Sequence, residues 1–407
     1  MASNTTGRGT GKGSQLARKR AAARRRKKRI IFAVEIVVVL ILIVVLYFVT
    51  QLDKIHKDEI VDEEILTVDQ SEIEDLLVEE DEITINSDIT GMDGYRNIAL
   101  FGVDARNNNL GKGARSDTIL VASINQNTKE VKLASIYRDT YLNVGNDTYN
   151  KANSAYAYGG PKQAINMLNM NFDLNITDYV TVGWAAVADT VDALGGVEID
   201  VDSAEITHLN NYQVETSQSL GRKYSRLTQT GYVTLDGIQA VSYCRIRYTA
   251  GDDYKRAMRQ REVIKAIADK AKKADPAKLN DIANKVFPQT ATSLELSEIL
   301  TLLEDIANYE ITETTGFPVQ EYRASGKVGG KGDCVIPADL SVNAALLHEF
   351  LFGSDTGYRT SQAVENYAAK IRSDTGTSQV TYTDDNIKGY FEIVGEEQAE
   401  STTSDGN

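Results

Sequence analysis

The chain has 407 residues, a formal net charge of -14, five prolines, three histidines and two cysteines. Its length leaves room for two or three modules with a real core, and 42% hydrophobic residues exclude a wholly disordered chain. Two cysteines exclude a disulfide scaffold, three histidines leave too little for a zinc-rich fold, and the acidity argues against general nucleic-acid binding.

Charge is divided sharply along the chain. Residues 1–29 hold eleven Lys or Arg and no acid, which leaves 33 basic against 58 acidic residues beyond them. Between the two lies Ile30–Thr50, IIFAVEIVVVLILIVVLYFVT, with Glu35 its only charge. About 20 apolar residues span a bilayer core of ~30 Å, so one transmembrane helix is expected here. A cleaved signal peptide has a shorter apolar core and ends at small residues, and no Ala-x-Ala site follows. The run Arg24–Arg29 should hold the N-terminus in the cytoplasm, which places the C-terminal body outside the cell membrane. Attraction to anionic lipid accounts for the basic tail without a nucleic-acid partner.

Residues 51–94 read as an acidic stalk with sparse Ile, Leu and Val. The folded body is expected over residues 95–353. Asn97–Val103, Thr118–Asn125 and Val131–Tyr137 are short β-rich runs bounded by turn residues. Helical spacing follows over Pro161–Met170, then strand at Asp178–Gly183, helix at Ala185–Leu194 and strand at Val197–Val201. Lys255–Lys273 is the longest expected helix, with others near Pro276–Val286, Ser297–Tyr309 and Val342–Phe352. Interleaved strands and helices predict α/β layers. Residues 354–407 read as a polar acidic tail, partly disordered, with some strand character at Gln379–Val394.

Most familiar chemistries are missing. No G-x-S-x-G accompanies His208 or His348, GKGARS at Gly111–Ser116 lacks P-loop spacing, and no His or Cys pair has zinc spacing. Arginine stands out instead. Of fourteen arginines after residue 30, eight fall in three short segments: Arg106 and Arg115, then Arg138, then Arg245, Arg247, Arg256, Arg259 and Arg261. A single arginine in an acidic body most often makes a surface ion pair. Here Arg138 follows an apolar strand, Arg245 and Arg247 alternate in what reads as an extended segment, and Arg256 shares a helix face with Gln260. Guanidinium groups aimed one way suit a phosphate polyanion. Asp104 and Asp117 flank strand edges, and two carboxylates brought together there suit Mg²⁺ with substrate phosphates in its shell. Cys244 and Cys334 are either a disulfide or two free thiols.

In these segments the chain resembles the LytR–CpsA–Psr family of cell-wall glycopolymer ligases. The resemblance rests on an ordered series: NIALFGVDAR, ARSDTILVASIN, SIYRDTYL, YNKANSAYAYGG, DALGGVEIDV, LDGIQAVSYCRIR and DYKRAMRQREV. It is strong over residues 95–275 and weaker to 353, and it departs at Tyr137, where the family often has Pro. The resemblance implies a three-layer α/β fold with a mixed central sheet. It implies transfer of a glycopolymer from a polyprenyl-pyrophosphate carrier to peptidoglycan through a phosphodiester. It makes Asp104 and Asp117 the Mg²⁺ aspartates, and Arg115, Arg138, Arg245, Arg247, Arg256 and Gln260 the pyrophosphate contacts. Arg106 and Lys151 join that set, Arg138 stabilises the phosphoryl centre, and Asp104, Asp139 and Asp253 are candidate general bases. Two other readings use the same residues: a non-catalytic scaffold binding anionic lipid or wall polymer, and a polyprenyl-pyrophosphate pyrophosphatase. The glycopolymer and the acceptor position are not readable from sequence.

Overall fold

Alternation of apolar residues builds the sheet. In strand β1 (Tyr95–Val103), Ala99, Phe101 and Val103 face one core while Leu100 faces another. Strand β2 (Ser116–Asn125) divides likewise, Ile119 and Val121 against Leu120 and Ala122, and β3 (Glu130–Ile136) sets Ala134 and Ile136 against Val131 and Leu133. Both faces are therefore buried, which requires helices on both sides.

This computed structural model describes residues within 83–377, except 87, 105–109, 248–251 and scattered positions between 276 and 305. The basic tail, Ile30–Thr50, most of the stalk, Arg106 and Gln379–Val394 lie outside the described residues, as do most of the two helices expected between Pro276 and Tyr309. No helix among the described residues is long and apolar enough to cross a membrane.

The central sheet has six strands in the order β10-β3-β2-β1-β6-β9, with β6 at Asp178–Gly183, β9 at Thr290–Thr292 and β10 at Glu310–Phe317. Pairs β1–β6 and β10–β3 are parallel and the others antiparallel, so the sheet is mixed as expected. One face packs on helices α1 (Asn153–Phe172), α6 (Leu340–Phe352) and α7 (Gln362–Thr375) through residues such as Leu168, Leu346 and Ile371. On the other face Ile264 of α5 (Asp252–Ala271) packs against Leu120 and Leu133. Beside it lie α2 (Trp184–Ala193), α3 (Glu205–Leu220), α4 (Gly237–Arg245) and the hairpin β7–β8 (Val197–Val201, Gly231–Leu235). They close a second core in which Val197, Ile199 and Val201 pack with Tyr243 and Val263. Two further hairpins, β4–β5 (Tyr141–Gly145, Thr148–Lys151) and β11–β12 (Arg323–Lys327, Asp333–Pro337), complete the body.

Three local expectations change. Helix α1 begins at Asn153 rather than Pro161 and kinks at Gly159–Gly160, just ahead of a proline that cannot donate to the preceding turn. The Cys244–Arg247 segment is not extended: Arg245 ends α4, a helix started by a capping box between Asp236 and Gln239 that the short alternation does not override. The body also continues past Gly353. Ser361 caps α7, whose Val364, Ala368 and Ile371 bury a stripe at helical spacing.

Candidate functional site

Strand register brings the first two charges together. Leu120 pairs with Ser135, and the same antiparallel register continued outward sets Asp117 opposite Arg138. Arg138 Nη1 donates to Asp117 Oδ1 at 2.6 Å. On its other side Asp117 falls at a bulge: Gly102 pairs with Thr118 but Val103 pairs with Ser116, so Asp117 is the unmatched residue and Asp104 follows immediately on β1. Bulges re-aim side chains in this way beside active sites. Gly102 permits the approach, since a Cβ there would sit 2.8 Å from the Thr118 hydroxyl.

The first turns of α5 supply the rest. Asp253, Arg256 and Gln260 share its face toward the sheet at three- and four-residue spacing. Asp253 Oδ1 lies 3.1 Å from Arg256 Nη1, 3.6 Å from Arg247 Nε and 4.0 Å from Arg138 Nε. Asp139 stands 3.4 Å from Arg138 Nε and 3.2 Å from Lys151 Nζ. One cluster thus joins Arg138, Lys151, Arg247 and Arg256 with Asp117, Asp139 and Asp253.

Burial sets the titration of this cluster. Burial works against the Arg138 charge, but Asp117, Asp139 and Asp253 overcome it and hold the group more firmly cationic than a free arginine. Burial, aided by Arg138 and Arg247, brings Arg256 down to about 10 against the pull of Asp253. Asp139 feels burial too, yet Arg138 and Lys151 hold it below the usual carboxylate range. For Asp253 burial prevails over Arg256, Arg138 and Arg247, and the carboxyl is pushed up.

A cavity of about 400 Å³ opens from this cluster between the sheet and helices α2, α4 and α5. Asp104, Asp117, Arg245, Arg247, Arg256 and Gln260 line its charged part, and Leu100, Leu120, Val180, Val182, Val187, Val263, Ile264 and Ile267 its apolar walls. Arg245 sits apart from the aspartates. Its guanidinium lies 3.9 Å from the Trp184 ring centroid, 3.0 Å from Glu215 Oε1 and 2.9 Å from the Thr216 hydroxyl.

Two members of the arginine segments have other work. Arg259 is fully buried, pairs with Glu205 at 2.7 Å and donates to the Ile246 carbonyl at 3.1 Å, which fixes the backbone between Arg245 and Arg247. Arg261 is buried on the Ser135 hydroxyl at 2.7 Å. Arg115 is exposed before β2 and is not among the residues lining the cavity. Cys244 and Cys334 are both free, with burial pushing the Cys244 thiol up to about 12, so the disulfide alternative does not hold. Among the described residues no group of three or more His, Cys, Asp or Glu could by itself hold a metal. Trp184 and Tyr212 beside Arg245 were not legible as site residues, and the apolar walls look in sequence like any other core positions.

Comparison with known proteins converges on one family: LytR_cpsA_psr matches residues 47–330. A polyisoprenyl-teichoic acid–peptidoglycan teichoic acid transferase TagU of Enterococcus faecalis is 33% identical over 198 residues, covering 48% of this chain and 58% of the relative. The Bacillus subtilis transferase TagT is 30% identical over 240 residues, covering 58% of this chain and 71% of its own. The chain thus spans less than two thirds of the first of these relatives. A solved Streptococcus agalactiae protein shares the fold with a TM-score of 0.55 at 21% identity, over 68% of this chain and 95% of that one.

Proposed function

The chain belongs to the LytR–CpsA–Psr family, and from that premise we propose that it is a membrane-anchored phosphotransferase. It moves a glycopolymer from a polyprenyl-pyrophosphate carrier to peptidoglycan, outside the cytoplasm, and Ile30–Thr50 is its anchor. The observation that carries this reading is one cavity with two chemistries: apolar walls that suit an isoprenoid chain and an arginine-lined part that suits its diphosphate. A soluble phosphorylated metabolite would have no use for the apolar walls.

Outside the cell the pyrophosphate anhydride is the energy store, so no ATP is needed. A peptidoglycan hydroxyl attacks the sugar-linked phosphorus, the P–O–P bridge breaks, and its electrons leave with polyprenyl phosphate. Phosphoryl transfer depends mainly on positioning and charge neutralisation. Arg138, aimed by Asp117, stabilises charge on the reacting phosphoryl group, while Arg256, Arg247 and Gln260 hold the rest of the diphosphate. Asp253, set among Arg138, Arg247 and Arg256 beside the cavity, is the carboxyl that takes the hydroxyl proton, and burial raises its proton affinity.

The carboxylates offset most of the cluster's positive charge, so a dianionic diphosphate gains from a divalent cation. Asp104 and Asp117 would hold Mg²⁺ there: both line the cavity beside the bulge, and Mg²⁺ takes one or two carboxylates and fills its shell with phosphates and water. The ion would supply charge neutralisation. The test is turnover of a polyprenyl-pyrophosphate-linked saccharide in the presence of peptidoglycan. Glycan joined to the wall with polyprenyl phosphate released is the expected result, whereas free glycan phosphate alone would mean hydrolysis and an untouched lipid would mean a binding protein.

A further inference from the structure

Arg138 and Asp253, whose Nε and Oδ1 lie 4.0 Å apart and neither of which is among the residues lining the cavity, each have a tyrosine beside them in sequence. Tyr137 and Tyr254 meet edge to face with ring centroids 4.7 Å apart. Arg323, the first residue of β11, lays its guanidinium 3.5 Å from the Tyr254 ring centroid. It also donates from Nη1 to the Tyr137 hydroxyl at 3.3 Å and to the Pro318 carbonyl at 3.4 Å. The Tyr254 and Ser325 hydroxyls are hydrogen-bonded at 3.1 Å. Tyr137, Ala257 and Val335, with Tyr254 against them, form an apolar cluster separate from the main core. Gly316 makes room for it, since a Cβ there would sit 2.7 Å from Tyr137 Cζ.

We infer that Tyr137, Tyr254 and Arg323 form a latch that sets the first turn of α5 against the end of β3, making Arg323 a positioning residue for Arg138 and Asp253. The inference rests on the phosphotransferase reading for its function, and on geometry alone for its existence. Arg138 Nε is buried without a well-aligned acceptor, and its distance to Asp253 depends on where α5 begins. The hairpin carrying Arg323 is tied to the same loop from the far side: Val335 N–H donates to the Asp139 carbonyl at 2.9 Å, and Thr140 bridges to Val335. Ring, guanidinium and hairpin therefore hold both partners from outside the cavity. None of the three latch residues lines it. A misplacement on the order of 1 Å in such a constellation costs about a hundredfold in rate, so a loosened latch should be visible in turnover.

The test uses the full chain labelled with ¹⁵N-arginine. Exchange of the Arg138 Nε–H with water, assigned by its loss in Arg138→Lys, is compared in wild type, Arg323→Lys and Arg323→Ala. Turnover of the lipid-linked saccharide and the thermal midpoint are measured alongside. Arg323→Ala should speed the exchange about tenfold and lower kcat at least about tenfold with KM within about twofold, and Arg323→Lys, which keeps the cation over the ring, should fall between. Tyr254→Ala should repeat the effect from the other partner, so the test survives if Arg323→Ala does not fold. Unchanged exchange in folded variants overturns the latch. Faster exchange with unchanged kcat in an active protein overturns its positioning role. Faster exchange in a protein that turns over no pyrophosphate lipid leaves the latch standing and removes the functional reading.

Discussion

Asp117 and Arg138 meet at 2.6 Å where the paired strands β2 and β3 end, each three residues beyond the Leu120–Ser135 pair. The pair is partly shielded, at 26% and 16% exposure, so the arginine is oriented before any substrate arrives. A preorganised cation of this kind stabilises developing charge without reorganisation.

Replacing Arg138 tests that role. Arg138→Ala should lower turnover by about 10²–10³-fold, the range for removing one preorganised donor, with the thermal midpoint little changed. Arg138→Lys should not restore the rate, because an ammonium does not span two oxygens as a guanidinium does. Full activity in Arg138→Ala would remove the residue from the mechanism.

The apolar walls make a separable prediction. Val187→Trp places bulk in a cavity of about 400 Å³. It should raise Kd at least about tenfold for a long polyprenyl carrier, on the order of 1.4 kcal/mol, while binding of inorganic pyrophosphate stays unchanged. Calorimetry with both ligands reads the difference. Equal losses for both would place the isoprenoid elsewhere.

Glu205 and Arg259 should behave as structural residues. Their ion pair is buried at 2.7 Å. Breaking such a pair leaves an uncompensated charge at a cost of about 3–5 kcal/mol, so Glu205→Gln should shift urea unfolding strongly. A loss of turnover without a loss of stability would instead point to direct contact with substrate.

His348 gives the fold a pH dependence remote from the site. Its Nε2 donates to the Phe172 carbonyl at 2.9 Å, and burial pushes its pKa down from 6.5 to about 4. Between those values the unfolded chain binds the extra proton. The stability from this residue is thus fully present above pH 6.5 and is lost as pH falls toward 4, by at most about 1.4 kcal/mol per pH unit. His348→Gln should flatten that slope in urea unfolding measured from pH 7 to 4, and an unaltered slope would show that other groups set it.

Much of this was legible in sequence because it is local. Short β-rich runs bounded by turn residues marked β1, β2 and β3, and the segments around Asp104, Asp117, Arg138, Arg247 and Arg256 carried the site chemistry. What escaped depends on distance. The alternation of Arg245 and Arg247 suggested a strand, yet a capping box upstream had already committed Arg245 to α4. Arg259 and Arg261 fall in the same arginine-rich segment as Arg256, and their burial against Glu205 and Ser135 shows what they do instead. The cavity walls are apolar residues at ordinary core spacing, distinguished solely by the space between them. Arg323 reaches the site through two tyrosines from a hairpin far along the chain, a contact no local pattern encodes.

The most direct measurement is turnover by the full chain of a polyprenyl-pyrophosphate-linked saccharide with peptidoglycan, in Mg²⁺ and in chelator, following lipid and glycan together. Polyprenyl phosphate should be released in step with wall-bound glycan, only with Mg²⁺, and both products should form about 10²–10³-fold more slowly with Arg138→Ala. Intact lipid after incubation with the folded wild type would contradict the phosphotransferase assignment, and equal turnover in chelator would contradict the Mg²⁺ site at Asp104 and Asp117.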